Sequence, residues 1–97
     1  MATPLTITAA NTQRGPVTLK VAGEIDRSNA EVLADAIEAQ YGPLIIELTE
    51  VDYLDSAGLS VLFTHAPRLE IVVPALLAPV VAIAGLGAVA QIQTSPN

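Results

Sequence analysis

A stretch of twenty residues without a charge is the feature that most limits how the chain can fold. It runs from Ile71 to Ala90, and a helix of that length, at about 1.5 Å per residue, would cross a bilayer. Two prolines, Pro74 and Pro79, interrupt its first half, and two glycines interrupt its second half. These breaks predict a buried strand, a loop, an apolar helix and a last strand rather than one spanning helix.

Composition excludes several classes of protein. The chain has 97 residues, and four Lys and Arg against ten Asp and Glu give a net charge of -6, which would repel nucleic acid. With no cysteine and only His65, it has no disulfide framework, thiolate nucleophile or Cys- or His-based metal cluster. Met1 to Ala10 lacks the pattern of a secretory signal. We expect one cytoplasmic domain over residues 1–97, with no membrane insertion, cofactor or metal.

Alternation of apolar and polar residues predicts the strands. Two half-buried strands, Leu5 to Ile7 and Val17 to Val21, flank the turn-forming segment Asn11 to Pro16 and should form a hairpin. The nearly continuous apolar run Leu44 to Leu48 predicts a central strand covered on both faces. Two later strands are predicted over Leu69 to Val73 and Ala90 to Gln93.

Three helices are predicted between these strands. The first is expected to begin at Ser28, because Glu31 lies at the spacing of a capping box, and to stop at Gly42-Pro43. The others are predicted over Ser56 to about Ala66 and over Ala75 to Ala84. Strands that alternate with helices indicate an α/β fold.

The segment between the central strand and the second helix holds the residues best suited to a function. It places Ser56 behind two acids, Asp52 and Asp55, at the first turn of the helix. Unpaired backbone N–H groups and the helix dipole favour an anion there, so a phosphate on Ser56 would be well housed. Gly58 leaves the turn without a side chain, which would let another protein approach closely. The alternative is that Asp55 or Ser56 is merely the helix N-cap.

Three motifs, in this order along the chain, resemble the STAS domain of bacterial anti-sigma factor antagonists. Gly23-Glu24-Ile25-Asp26 is similar to the family's G-[ED]-[LIV]-D element. Asp55-Ser56-Ala57-Gly58-Leu59 resembles its D-S-[ST]-G-[LI] signature, and Ala84-Gly85-Leu86 its a-G-[LI] turn before the last strand. The second motif, in its strand-to-helix context, is the most specific, and the resemblance covers essentially the whole chain.

The resemblance implies both a fold and a partner switch. The fold is a mixed sheet of about four to five strands with three helices packed mainly on one face. The function is that of an antagonist that binds an anti-sigma factor, itself a serine protein kinase, and so releases the sigma factor for transcription. Phosphorylation of Ser56 would end this binding, and a phosphatase would restore it. The partner-binding surface that it implies consists of Asp26, Asp52, Asp55, Ser56, Ala57, Gly58 and Leu59.

The chain departs from the family pattern in three places. Ala57 stands where the family usually has a second hydroxyl residue, which removes one phosphorylation candidate. The segment Thr64 to Arg68 is much shorter than usual. The sequence also ends at Asn97, where many members continue into a closing helix. We expect the last departure to leave apolar surface for pairing with another protein, a homodimer included.

The same residues bear on three other functions. An enzyme is not expected, because Ser56 and His65 lie near opposite ends of one predicted helix, about 13 Å apart at a rise of ~1.5 Å per residue. Asp26, Asp52 and Asp55 are expected to form a solvated rim rather than a Mg²⁺ site. The competing function is a STAS accessory subunit of a lipid or anion transporter, which binds its ATPase or permease without phosphorylation.

Overall fold

One five-stranded sheet organises the computed structural model, which describes residues 4–11 and 15–96. The strands lie across the sheet in the order of the sequence. The first two strands are antiparallel, as the predicted hairpin requires, and every later pair of neighbours is parallel. The strands are β1 (Thr6–Ala10), β2 (Val17–Ile25), β3 (Leu44–Leu54), β4 (Leu69–Pro74) and β5 (Gln91–Ser95).

Three α-helices connect the parallel strands, one in each crossover. Such crossovers are right-handed in almost all proteins, and strands in sequence order then place every helix on the same face of the sheet. This arrangement confirms the predicted α/β fold. The helices are α1 (Ala30–Glu38), α2 (Ser56–His65) and α3 (Ala78–Ala84), and two 3₁₀ turns lie at Ala66–Arg68 and Leu86–Ala88.

The hydrophobic core lies between the sheet and the helices. Along β3, Leu44, Ile46 and Leu48 are buried, whereas Ile45 and Glu47 between them are half-exposed. The prediction that this strand is covered on both faces is therefore wrong. The reason is topological, because the crossovers place all three helices on one side and leave the other side of the described sheet to solvent.

The central strand is longer than the apolar run that predicted it. β3 continues past Leu48 to Leu54, because its last residues pair with β2 as far as the Ile25–Leu54 pair. Backbone pairing with a neighbouring strand thus overrides the polar character of Thr49 to Tyr53, which the sequence suggested was a link. Residues 12–14, in the predicted hairpin turn, lie outside the described residues.

The first helix begins at Ala30 and not at the predicted Ser28. Asn29 occupies the N-cap position, and no capping box forms. The Ser28 hydroxyl instead donates to Asp26 Oδ1 at 2.5 Å, and the Ser28 N–H donates to the same oxygen at 2.8 Å. A turn closed by the Asp26 carboxylate has therefore replaced the predicted contact with Glu31.

The uncharged stretch forms several short elements. It supplies most of β4, then a turn, α3 and the second 3₁₀ turn. The third helix begins at Ala78 rather than Ala75, because the Leu77 N–H donates to the Pro74 carbonyl at 3.0 Å and closes a turn before it. Within residues 4–11 and 15–96, no helix has the length and apolar character needed to span a membrane.

A candidate partner-binding site at the ends of two parallel strands

The candidate site lies where β2 and β3 end side by side. Ile25 pairs with Leu54 at the last position of both strands, and the Asp55 N–H donates to the Ile25 carbonyl at 3.2 Å. Asp26 directly follows β2 and Asp55 directly follows β3, so these two residues lie at the same edge of the sheet. Ser56 follows immediately as the first residue of α2. The topology thus brings two of the motifs from the sequence together.

Asp55 is the N-cap of α2. Its Oδ1 atom accepts hydrogen bonds from the N–H groups of Ala57 at 2.9 Å and Gly58 at 3.2 Å, and its backbone carbonyl accepts one from Leu59 at 3.0 Å. The capping alternative raised from the sequence is confirmed for this residue. Ser56 is exposed, and its hydroxyl makes no hydrogen bond to any of the described residues.

The sequence predicted unpaired N–H groups that could bind a phosphate at the start of α2, and this prediction is wrong for Ala57 and Gly58. Ala57 and Gly58 already donate theirs to Asp55. A phosphate on Ser56 would therefore stand beside a carboxylate that holds the same turn, and the two groups would compete for its N–H groups while repelling each other. The site suits a neutral serine better than a phosphorylated one.

The Asp26 carboxylate is held by the loop that leads into α1. The Ser28 hydroxyl and the Ser28 N–H both donate to it, and the Asp26 N–H donates to Asn29 Oδ1 at 2.9 Å. The hydrogen bond from the Ser28 side chain is the main reason that the pKa of Asp26 lies below its usual range, and the Ser28 N–H adds to the effect. Asp26 therefore contributes a fixed negative charge to this edge.

Asp52 is exposed because β3 carries a bulge. Gly23 pairs with Val51, but the next pair is Glu24 with Tyr53, so β3 has one more residue than β2 at this point. Bulges of this kind re-aim side chains near functional surfaces. Asp52 makes no hydrogen bond with Asp26, Asp55 or Ser56 among the described residues. The bulge also leaves Tyr53 49% exposed near the strand end, a surface residue that the sequence analysis missed.

Gly58 is buried, which gives it a different role from the one expected. A Cβ atom at this position would lie 2.5 Å from Leu54 Cδ1 and 2.7 Å from Ile25 Cγ2. The close approach that this glycine permits is therefore that of α2 to its own sheet, and not that of another protein. Ala57 is partly exposed and Leu59 packs partly against the core, so these two positions can still contribute to a surface.

The other polar groups near α2 do not assemble a catalytic or metal site in the described ranges. His65 ends the helix that Ser56 begins, and its Nε2 atom lies 3.7 Å from Glu38 Oε2. No set of three or more His, Asp or Glu side chains within residues 4–11 and 15–96 is placed to hold a metal ion. The arrangement is one of exposed hydroxyl and carboxylate groups on a rigid strand–helix corner, which is suited to contact with another macromolecule.

Comparison with a family model identifies the family of the protein. The model described as Mlab, STAS domain, matches residues 8–92, which include both strand ends and α2. The chain belongs to the STAS domain family. This membership and the structural likenesses below confirm the resemblance inferred from the motifs. A search among curated protein sequences gives no match.

Solved structures share the STAS fold with this chain. An anti-sigma factor antagonist from Mycobacterium paratuberculosis superimposes with a TM-score of 0.83 at 24% identity, over 97% of this chain and 87% of the other. The anti-sigma factor antagonist SpoIIAA in its unphosphorylated form gives a TM-score of 0.73 at 17% identity, over 95% and 90%. An STAS domain antagonist from Rhodobacter sphaeroides gives 0.51 at 12% identity, over 93% and 84%.

The N-cap can be tested by two substitutions. We expect Asp55→Ala to lower the free energy of unfolding by about 1 kcal/mol, because the N–H groups of Ala57 and Gly58 lose their acceptor. Asp55→Asn should lose much less, since asparagine caps helices as well as aspartate. Urea denaturation measures both effects, with the exposed Asp52→Ala as the control. Equal stability of the Asp55→Ala and Asp52→Ala proteins would contradict the capping role.

Proposed function

We propose that this STAS domain is an anti-sigma factor antagonist that binds its anti-sigma factor through the β2–β3 corner and is switched off by phosphorylation of Ser56. The observation that carries the proposal is the exposed Ser56 hydroxyl, which has no hydrogen-bond partner in the described part of the chain, beside the capping Asp55 carboxylate. The contact surface consists of Asp26, Asp52, Asp55, Ser56, Ala57 and Leu59, with Gly58 holding α2 against the strands.

The fold shared with solved anti-sigma factor antagonists supports the assignment to this class, and the local geometry supports a switch. A phosphate carries about -1.5 to -2 charges at neutral pH. On Ser56 it would add this charge beside the Asp55 carboxylate and at the same sheet edge as Asp26. A partner that covers the corner would then bury adjacent like charges, which costs several kcal/mol at an interface. Phosphorylation therefore releases the partner.

The anti-sigma factor is proposed to be a serine kinase, so that the chain is its substrate as well as its ligand. The Ser56 oxygen forms a bond to the γ-phosphorus of ATP as the bond from that phosphorus to ADP breaks, and the hydroxyl proton passes to a base of the kinase. A phosphatase reverses the modification by hydrolysis. The chain itself catalyses neither step, and we place this cycle in the cytoplasm, without contact with nucleic acid.

Three variants test the proposal against candidate anti-sigma kinases. With ATP present, the unmodified chain and Ser60→Ala should each gain one phosphate by mass spectrometry, whereas Ser56→Ala should gain none. Ser60 is the matched control because it is exposed on the same helix. Without ATP, Ser56→Ala should bind as tightly as the unmodified chain. Ser56→Glu should bind at least about tenfold more weakly, because its charge partly mimics a phosphate.

Two results would overturn this function. Phosphate on Ser60, Thr49 or Thr64 in place of Ser56 would reassign the switch. If no kinase labels the chain and the Ser56→Ala and Ser56→Glu proteins bind a partner equally well, Ser56 is not a switch. The accessory subunit of a lipid or anion transporter, which needs no phosphorylation, would then be the function to test.

A further inference from the structure

The side chain of Asn29 turns away from the helix that it precedes. Asn29 is the N-cap residue of α1, but its side chain makes no hydrogen bond to that helix. Its amide instead contacts the end of β2, where Nδ2 donates to the Glu24 carbonyl at 2.9 Å and Oδ1 accepts from the Asp26 N–H at 2.9 Å. An N-cap asparagine normally uses this oxygen for N–H groups of the first helical turn. The amide of Asn29 therefore serves the strand rather than the helix.

These two hydrogen bonds reproduce those of a neighbouring parallel strand. A residue in a parallel ladder donates to one carbonyl of its neighbour and accepts from the N–H group two residues further along. The Glu24 carbonyl and the Asp26 N–H have this spacing, and they point away from β3, because the carbonyl of the intervening Ile25 bonds to β3. On that side, β1 pairs with β2 only as far as Thr6–Ala22 in the described part of the chain. Asn29 thus takes the place of a strand neighbour beyond the end of β1.

Only one polar atom of Asp26 lacks a partner in the described ranges. Its carbonyl accepts the N–H groups of Asn29 at 3.1 Å and Ala30 at 2.8 Å. Its Oδ1 atom accepts both the hydroxyl and the N–H of Ser28, at 2.5 Å and 2.8 Å. Oδ2 has no hydrogen-bond partner within residues 4–11 and 15–96. Asp26 is therefore fixed at its backbone and at one carboxylate oxygen, and the other oxygen is left for a further donor.

We propose that Ser28 and Asn29 are positioning residues, which hold Asp26 so that its Oδ2 atom receives a basic group of the anti-sigma factor. The inference rests on the proposed function, in which Asp26 belongs to the contact surface beside Ser56. An ionised carboxylate accepts its strongest hydrogen bonds from arginine or lysine. A carboxylate that is already fixed loses little conformational entropy when such a group binds. Truncation of either positioning residue therefore weakens binding through Asp26.

The affinity for the anti-sigma factor, measured by isothermal titration calorimetry, tests the positioning role of Asn29. Asn29→Ala should raise the dissociation constant about tenfold, because the Asp26 N–H loses its acceptor and the residue is no longer fixed to the end of β2. In an Asp26→Ala background the same substitution should change the constant less than about twofold, since no carboxylate remains to be positioned. Asn11→Ala is the matched control and should bind like the unmodified chain, because Asn11 is exposed and bonds to none of the described residues.

Ser28→Ala supplies a second test that leaves the backbone bonds of β2 in place. The Ser28 hydroxyl is the main cause of the lowered pKa of Asp26, so its removal should raise that pKa towards the ordinary value, as NMR titration of the free chain can measure. Binding that needs the ionised carboxylate is lost as the pH falls through this pKa. The loss should begin at a higher pH in Ser28→Ala than in Ser60→Ala, which removes an exposed hydroxyl from α2. The other carboxylates of the corner are unchanged in both variants, so the comparison isolates Asp26.

Amide hydrogen exchange separates positioning from folding. In Asn29→Ala the Asp26 N–H should exchange at least about tenfold faster, whereas Ile46 and Leu48 in the core should keep their protection. Unchanged exchange at Asp26, or an equal effect of Asn29→Ala on binding with and without Asp26, overturns the positioning role. Loss of protection throughout β3 also overturns it, because Asn29 would then support the whole fold.

The binding measurements distinguish a failure of this inference from a failure of the antagonist function. If the unmodified chain binds no candidate anti-sigma factor, the antagonist function fails and this inference fails with it. If the unmodified chain binds, and Asn29→Ala and Ser28→Ala bind equally well across the pH range, only the positioning role is wrong.

Discussion

Gly58→Ala is expected to lower the free energy of unfolding by about 2 kcal/mol, although alanine is the better helix former. Alanine favours a helix over glycine by about 1 kcal/mol. Here the new methyl group would lie 2.5 Å from Leu54 Cδ1 and 2.7 Å from Ile25 Cγ2, well inside van der Waals contact. Leu54 can rotate in part, but the β-branched Ile25 is stiff, so α2 itself must move. Overpacking of a core costs about 1–3 kcal/mol or more, and it outweighs the gain in propensity.

Gly87→Ala provides the matched control. A Cβ at Gly87 would meet only Ile92 Cγ1, at an ordinary contact distance of 3.7 Å. This variant should be as stable as the unmodified chain, or slightly more stable, because alanine restricts the unfolded state. Urea denaturation of both proteins provides the comparison. If Gly58→Ala loses no more stability than Gly87→Ala, the close packing of α2 on the strand ends is not as described.

The same substitution links packing to function. Asp55 caps α2 and also donates its N–H to Ile25, so the first turn of the helix is tied to both strand ends. A methyl group at Gly58 would push this turn away from the strands. Ser56 would then move relative to Asp26, which stays at the end of β2. The glycine of the signature motif is thus required for the position of the serine, although it is buried and offers little surface itself.

Hydrophobic periodicity predicted the strand and helix content, and the Asp55-Ser56 motif pointed to a candidate site at the start of α2. Contacts between distant residues decided what the sequence could not show. Ser28 was a good candidate for the helix N-cap, but its hydroxyl can bond either to the α1 backbone or to the Asp26 carboxylate. In the structure it donates to Asp26. The bulge at Asp52 depends on how β3 pairs with β2, and no local pattern of residues records it.

The roles of Gly58 and Asp55 also depend on contacts that the sequence alone could not show. A glycine at position 58 allows close approach either of another protein or of the chain's own sheet, and the sequence does not distinguish the two. The structure does, because Ile25 and Leu54 occupy the space next to Gly58. Open N–H groups were expected from a general property of helix ends. They are paired here because Asp55 stands one residue before Ser56. Because of this pairing, a phosphate on Ser56 would repel the Asp55 carboxylate within the chain, in addition to weakening the binding of a partner.

The second large effect is expected from Arg68, which the sequence analysis treated only as part of a short segment. Arg68 ends the first 3₁₀ turn, and its guanidinium donates to three backbone carbonyls of another segment: Ile37 at 2.5 Å, Gln40 at 2.9 Å and Gly42 at 2.8 Å. Carbonyl groups at the end of a helix lack partners within it. Arg68 therefore adds a second donor to the Ile37 carbonyl, which also accepts the Gln40 N–H at 3.1 Å, and it holds the turn that leads from α1 into β3.

Arg68→Met should lower the free energy of unfolding by about 2–3 kcal/mol, because it keeps the apolar stem and removes all three charge-assisted hydrogen bonds. Arg68→Lys should lose roughly half as much, since an ammonium group cannot span three carbonyls as the planar guanidinium does. Arg27→Met, at an exposed arginine with no hydrogen bond among the described residues, is the matched control and should change stability by less than about 0.5 kcal/mol.

Thermal and urea unfolding of the three variants, with amide exchange at the end of α1, measure these effects. For a chain of this size the loss in Arg68→Met corresponds to a fall in Tm of about 10 °C or more. Exchange should accelerate at Ala39 and Gln40, whose N–H groups bond within the turn that Arg68 holds. Equal stability of Arg68→Met and Arg27→Met would show that the three carbonyls are satisfied equally well by water. Because α1 packs beside α2, a loosened α1 should also weaken the support for the helix that carries Ser56.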